Sequence, residues 1–139
     1  MVKPTIAKGI IGVRTSIESM KVITELQTLY EKDHLLLRHT SKWVPVDLWT
    51  HSDMDSMREA VVRTREKIEA DEKWRRSVEK RRFTLYHKIE VIRELAELIN
   101  GKVDLKNPNK ILRLDIIGRY AGISVFTPNE IFSIMKLHI

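Results

Sequence analysis

The sequence contains no cysteine, which excludes disulfide bonds, thiolate metal sites and cysteine nucleophiles together. Long apolar stretches are also missing, since no run approaches the ~20 residues that a membrane-spanning helix needs. The beginning of the chain mixes lysine, arginine and glutamate into its apolar residues, which is not the pattern of a secretory signal peptide. These absences predict a protein that is made and used in the cytoplasm.

Motifs for catalysis or metal binding are absent too. The histidines at positions 34, 39, 51, 87 and 138 form neither a His-x3-His pair nor an HExxH motif. The glycines form neither a P-loop nor a dinucleotide-binding motif, and no Gly-x-Ser-x-Gly elbow occurs. Asp53 and Asp55 resemble half of an acidic metal pair, but a helix N-terminus explains them better. We therefore expect no cofactor, no metal and a function by binding rather than by chemistry.

The charge balance is basic. Lysine and arginine total 25 against 19 aspartates and glutamates, which gives a net charge of +6 and a pI of about 9.7. This balance favours nucleic acid or an anionic membrane surface as a partner, although a soluble domain with a basic surface has the same composition. A single glutamine beside 32% charged residues is the direction that hyperthermophile proteins take.

Helical spacing of apolar residues dominates the chain. The pattern predicts a weak helix or flexible arm over residues 4–13, a firmer helix over 16–37 and an apolar linker over 39–52. Residues 53–99 then form either one bent helix or two, roughly 53–81 and 83–99, with Asp53 and Asp55 in the first turn. A further helix is expected from 107 or 109 to about 121. A last helix starts at Thr127 with Pro128 and Glu130 in its first turn.

These elements predict an all-α protein without strands. Residues 53–139 would form a C-terminal four-helix bundle, and residues 1–52 an extended basic N-terminal arm and linker.

Two groups of cations are candidates for binding phosphates. The alternative for both is ordinary solvated surface charge, with Glu69–Lys73 and Asp71–Arg75 as helical ion pairs in the denser region. Trp43, Trp49 and Trp74 favour packing, although exposed tryptophans could stack on the bases of a single strand. The first cation group is Arg75, Arg76, Lys80, Arg81 and Arg82, and the second is Lys3, Lys8, Arg14, Lys21, Arg38 and Lys42.

The C-terminal region resembles a known family. Tyr120 and Gly122 close one helix, a short apolar loop follows, and Pro128-x-Glu130-Ile131 opens a final apolar helix. This order is similar to that of the major coat proteins of archaeal filamentous viruses, the rudiviruses and lipothrixviruses. The length, the lack of cysteine and the basic beginning fit the same plan.

The resemblance implies a structural coat protein that wraps double-stranded DNA, held in the A form, and assembles into a helical filamentous virion. It implies copies of the same chain or a paralogous coat chain as partners, with an envelope membrane left open, and location in the virion and in the host cytoplasm during assembly. The N-terminal cations would line the DNA. A dimeric helical DNA-binding regulator or chromatin-like protein is the alternative, and an enzyme or accessory subunit is the weakest one.

Overall fold

The structure is a computed structural model that describes residues 2–6, 9–35, 42–83, 85–130 and 132–133. In chain order its elements are β1 (Val2–Pro4), β2 (Ile11–Val13), α1 (Ser19–Lys32), β3 (Lys42–Trp43), β4 (Leu48–His51), α2 (Met54–Thr64), β5 (Lys73–Arg81), α3 (Lys88–Ala96), β6 (Lys102–Val103), β7 (Lys110–Ile117), β8 (Tyr120–Phe126) and β9 (Phe132–Ser133). Short 3-10 helices occupy Arg65–Lys67 and Pro128–Glu130. The chain divides into a larger unit, Met1–Arg14 with Val46–Thr127, and a smaller one, Thr15–Pro45 with Pro128–Ile139.

The larger unit is built on a five-stranded mixed sheet in the order β4-β8-β7-β5-β6. Strand β5 runs parallel to β7 and β6, whereas β8 is antiparallel to β7 and β4. The parallel pair is joined by a crossover that contains α3, as parallel strands require. Strands β1 and β2 form a separate antiparallel pair in the same unit.

Helices α2 and α3 cover one face of this sheet. Asp53 caps α2 by accepting a hydrogen bond from the Ser56 amide at 2.9 Å. Trp74 is 1% exposed at the centre of the core, and its indole Nε1 donates to the Gly101 carbonyl at 3.0 Å. The helices and strands together bury one apolar cluster: Met57, Ala60, Val61, Trp74, Val78, Phe83, Val91, Leu95, Ile99, Leu112, Leu114, Ile116, Ala121, Ile123 and Val125.

The hairpin of β7 and β8 turns in two residues, Gly118 and Arg119. Gly118 has a φ of +60°, and Arg119 is not left-handed. This combination matches a type II′ turn, whose first central residue is usually glycine. The tight turn fixes the register of the hairpin, so Ile117 lies opposite Tyr120.

The smaller unit contains α1 and the two-residue pair of β3 and β9, with Trp43 opposite Phe132. Ile23 and Tyr30 are buried on α1, and Leu26 and Trp43 pack against them. None of the described helices is long and apolar enough to cross a membrane.

The all-α prediction, with its C-terminal four-helix bundle and helical N-terminal arm, is wrong. The described residues of the chain form nine strands and three α-helices, and β5 and β7 occupy segments predicted as helix. Trp74 and Val78 are four residues apart, which fits one helical turn but also two strand repeats. Residues 111–117 are buried on both faces apart from the half-buried Asp115, and a short buried run does not distinguish a strand from a helix.

Other elements agree better with the prediction. Helix α1 lies within the helix predicted over 16–37 but ends at Lys32, and the helix start near Asp53 is confirmed. The segment 4–13, predicted as a weak helix or flexible arm, contains strand residues instead. The last predicted helix is only a 3-10 turn followed by β9 within its described residues, and residues 134–139 lie outside them. The division at residue 52 stays a prediction.

Candidate nucleic-acid interface

The densest predicted cation group lies on a strand, and this divides it between two faces. Arg76 lines a small cavity with Trp74, Val78 and residues of α3, so it lies on the helix-covered face. Lys80 is on the same face, where its Nζ donates to the Tyr86 carbonyl at 3.4 Å. Side chains alternate along a strand, so Arg75 and Arg81 lie on the opposite face, where Ser124 and Phe126 are buried but Arg81 is exposed. The five cations therefore do not form one surface.

Arg75 is half-buried on the face opposite the helices. Its Nε atom is buried and has no hydrogen-bond partner among the described residues. Arg75 lies opposite Ile111 in the register of β5 and β7. It is thus set back from the exposed end of the strand, where Arg81 lies.

Arg82 follows β5 in a left-handed backbone conformation, with a φ of +56°. A non-glycine residue in this region costs roughly 1–2 kcal/mol, because its Cβ approaches the backbone. Arg82 is exposed, and no carboxylate among the described residues forms an ion pair with it. Strain of this kind occurs preferentially at functional sites.

Hydrogen bonds between neighbouring strands bring further side chains to this end of the sheet. The Gly118 amide donates to the Arg81 carbonyl at 2.9 Å, which places the β7–β8 turn beside the end of β5. The Ser52 amide donates to the Arg119 carbonyl, also at 2.9 Å, and this joins the end of β4 to the same turn. Arg81, Arg82, Arg119 and His51, here called the basic end, are thus collected from three separate places in the chain.

The basic end is exposed and lightly opposed by acids. The Arg81 side chain is 54% exposed, and its Nη1 lies 3.7 Å from Glu79 Oε2. His51 and Arg119 are exposed as well. Sequence reasoning missed Arg119 and His51, because only the pairing of β4, β8 and β7 places them beside Arg81.

One row of residues crosses four strands at this end. Register places Arg81 beside Ile117, Ile117 beside Tyr120, and Tyr120 beside His51. The Tyr120 and His51 rings are stacked, with centroids 5.5 Å apart and planes inclined by 30°. Tyr120 is 55% exposed. The row therefore combines an exposed cation with an exposed aromatic stack.

The next row adds a third aromatic residue on the same face. Trp49 lies opposite Gly122, and a Cβ atom at position 122 would be 3.2 Å from two atoms of its indole ring. Trp49 is 49% exposed. Trp49, His51 and Tyr120 are called the aromatic strip below. The expectation that tryptophans pack fits Trp74, but Trp49 is only half covered.

Acidic residues on this face are engaged by cations. Arg113 Nε and Nη2 donate to Asp115 at 2.8 and 3.0 Å, a bidentate pair with the Arg113 side chain 9% exposed. Glu79 faces Arg81, as described above. Glu79 and Asp115, the acids of β5 and β7 on this face, are thus paired with arginines, and the basic end keeps an excess of positive charge.

Several other cations form ion pairs that join different elements of the fold. Lys67 pairs with Asp47 at 2.9 Å, and Lys110 pairs with Glu72 at 3.0 Å. A hydrogen bond from the Glu69 amide, and then Lys110, lowers the pKa of Glu72 below its ordinary value. Lys73 pairs with Asp104 rather than with Glu69. These pairs join elements distant in sequence, not the helical i,i+4 positions that the sequence suggested.

The N-terminal cations are not gathered into a described site. Arg14 is exposed in the larger unit, while Lys21 on α1 and Lys42 on β3 are exposed in the smaller one. Lys3 lies in β1. Lys8 and Arg38 lie outside the described residues. The role assigned to this group stays a prediction. Across the described part of the chain, no cluster of three or more histidine, aspartate or glutamate side chains could hold a metal ion.

Comparison with known proteins gives a fold but no family. No family model and no curated protein matches the chain. Three solved structures have similar folds at 13–17% identity. They are PH1313 from Pyrococcus horikoshii (14% identity, TM-score 0.57), TrmN from Thermus thermophilus (17%, 0.54) and a 4-thiouridine synthetase in a complex with RNA and bound ATP (13%, 0.52).

The likeness extends over most of this chain but only part of each neighbour. It covers 90%, 83% and 93% of this chain and 53%, 34% and 40% of PH1313, TrmN and the synthetase, in that order. The chain thus spans about half or less of the length of these proteins. What is similar is the mixed α/β fold.

These findings overturn the predicted function as a filament coat protein. The chain has a mixed α/β fold similar to that of the three neighbours, one of which was solved in a complex with RNA, and not the predicted helical bundle. The alternative, a dimeric helical DNA-binding regulator, is wrong for the same reason, because the fold is not all-helical. The resemblance to the viral family and the virion location stay predictions. One neighbour is an enzyme, so fold likeness leaves open the prediction that the chain acts by binding alone.

Proposed function

We propose that this chain binds RNA through the basic end of its sheet, and that it contributes binding rather than chemistry. The observation that carries the proposal is that Arg81, Arg82 and Arg119, from two separate segments, lie together at one exposed end of the sheet. Arginine is well suited to phosphate because its guanidinium presents a planar fork of donors. The net charge of +6 adds long-range attraction.

The choice of RNA over DNA is supported by one neighbour of similar fold. A 4-thiouridine synthetase with a similar fold has been solved in a complex with RNA. A role in holding RNA for a modification reaction is the setting that this likeness favours. Duplex DNA, the ligand expected from the sequence, becomes the competing outcome of the test.

Binding would be measured by fluorescence anisotropy, with the full chain and a labelled RNA hairpin that carries a single-stranded overhang. A DNA of the same sequence is measured beside it. Replacing Arg81, Arg82 and Arg119 together by alanine should weaken RNA binding on the order of tenfold or more, since charge-assisted hydrogen bonds are lost. The slope of log affinity against log salt should also fall by roughly 0.7–0.9 for each phosphate contact removed.

The matched control removes the same charge elsewhere. Arg63, Lys102 and Lys106 are exposed. In the β5–β6 ladder Lys102 lies opposite Lys73, which is at the other end of β5 from Arg81. Their triple alanine variant should bind RNA nearly as well as the unmodified chain. Equal losses in the two triple variants would show that the basic end is not the binding surface, and preference for the DNA would contradict RNA as the ligand.

A further inference from the structure

Trp49 and Tyr120 of the aromatic strip are exposed rings to which the proposed phosphate contacts give no role. Tryptophan and tyrosine rings carry large apolar areas that usually pack in a core or an interface. Trp49 and Tyr120 are instead 49% and 55% exposed on neighbouring rows of one sheet face. Gly122 lies directly opposite Trp49, and its lack of a side chain leaves room for the indole ring.

The strip lies beside the basic end rather than apart from it. Arg81 and Tyr120 are in the same row and are separated by the single strand β7. Neighbouring strands are ~4.8 Å apart, so the backbones carrying these two side chains are ~10 Å apart. Ile117, between them, is 8% exposed, so it is covered by other residues and offers a ligand neither charge nor ring. A short RNA segment could therefore contact Arg81 through its backbone and Tyr120 through a base.

We propose that the aromatic strip stacks unpaired bases, so that this sheet face selects single-stranded RNA over a continuous duplex. The inference rests on the proposed function. Every base has a π-face, and stacking on exposed aromatic rings on a sheet is a general mode of single-strand recognition. In a continuous duplex the bases already stack on each other, so no base face inside it is free to stack on the strip. Arg81 holds the backbone of the same segment.

The test compares three RNA ligands with equal numbers of phosphates. These are a single strand, a blunt-ended duplex, and a single strand in which every nucleotide of the central part is abasic. The unmodified chain should bind the normal single strand on the order of tenfold or more tightly than the abasic one, because stacking is lost while the phosphates remain. Equal affinity for these two strands would overturn the inference but leave RNA binding intact.

Variants of Tyr120 supply the protein side of the test. Tyr120→Ala should lose the preference for the normal over the abasic strand, whereas Tyr120→Phe, which keeps the ring, should retain it. Neither variant should change the salt slope, because no phosphate contact is removed. Arg81→Ala should show the reverse, with a reduced slope and a retained preference. Thermal melting of each variant checks that the fold is intact, and Trp49→Ala repeats the test should Tyr120→Ala fail to fold.

Other results identify other roles. If Tyr120→Ala weakens duplex and single strand equally, the strip supports the fold and does not read single strands. If it instead lowers the mass of the protein in sedimentation, the strip is a contact between copies, and the inference is wrong. If no ligand binds the unmodified chain, the proposed function itself fails.

Discussion

The indole ring of Trp49 lies over Gly122, the residue directly opposite it in the β4–β8 ladder. A Cβ atom at position 122 would be 3.0 Å from Val46 Cγ1 and 3.2 Å from the Trp49 ring. Gly122 therefore sets the position of the indole, and through it the surface of the aromatic strip.

Gly122→Val should displace the indole and destabilise the fold by about 1–3 kcal/mol, the usual cost of adding bulk to a packed site. Urea unfolding and the tryptophan emission maximum would measure the two effects. Gly122→Ala is the milder control, because the ring needs to move by only a few tenths of an ångström. A Gly122→Val protein with unchanged stability and emission would show that Trp49 does not rest on this backbone.

Gly118 should tolerate substitution less well than Gly9. Both have positive φ, but a Cβ atom at 118 would be 2.8 Å from Ile6 Cγ2, whereas a Cβ atom at Gly9 would have no contact within 4 Å among the described residues. Gly118→Ala should cost more than about 1 kcal/mol, since it adds a clash to the backbone strain, and Gly9→Ala should cost less. Denaturant midpoints of the two variants give the comparison, and a reversed order would contradict the turn geometry.

Arg82 should separate stability from binding. Arg82→Gly relieves the left-handed strain and should stabilise the fold by up to about 1 kcal/mol, while RNA affinity falls because a cation is lost. Arg82→Ala is the matched control, since it loses the same charge and keeps the strain. Thermal unfolding and anisotropy distinguish the two variants. Equal stability of the two would mean that the conformation at position 82 carries no strain.

Removing one partner of the Arg113–Asp115 ion pair should lower the free energy of unfolding, because the other charge is then buried without a partner. Asp115→Ala leaves the Arg113 guanidinium, 9% exposed, without its bidentate partner. We expect a loss of about 2–3 kcal/mol, below that of a fully buried pair because the Asp115 side chain is 19% exposed. The double variant Arg113→Met/Asp115→Leu should recover much of this loss in urea unfolding. Additive losses would indicate that the two side chains are not coupled.

Asp104 should contribute a pH-dependent term to stability. Backbone amides of Asn107 and Lys106 donate to its carboxylate at 3.0 Å and hold its pKa below the ordinary value of 3.8. Because the folded pKa is the lower one, this stabilisation is present above about pH 4 and is lost as the pH falls through the folded pKa. Carboxyl NMR titration should give a midpoint below 3.8, and Asp104→Ala should flatten the acid side of the stability profile. A midpoint at or above the ordinary value would contradict the loop geometry.

The sequence by itself determined the features that depend on local chemistry. Asp53 accepts from the Ser56 amide whatever the rest of the chain does, so the start of α2 could be predicted. The spacing of Ile23 and Tyr30 indicated α1, and the lack of cysteine and the excess of lysine and arginine followed from composition.

Only the tertiary structure decided the sheet and the candidate site. Trp74 and Val78 have a spacing that helix and strand share, and pairing of β5 with β7 resolved it through contacts far apart in sequence. In the strand β5, Arg75 and Arg76 point to opposite faces. Pairing of the strands also brings Arg119 and His51 to the same end of the sheet as Arg81. No local pattern encodes such proximity, because strand order and register depend on which distant segments bury their apolar faces together.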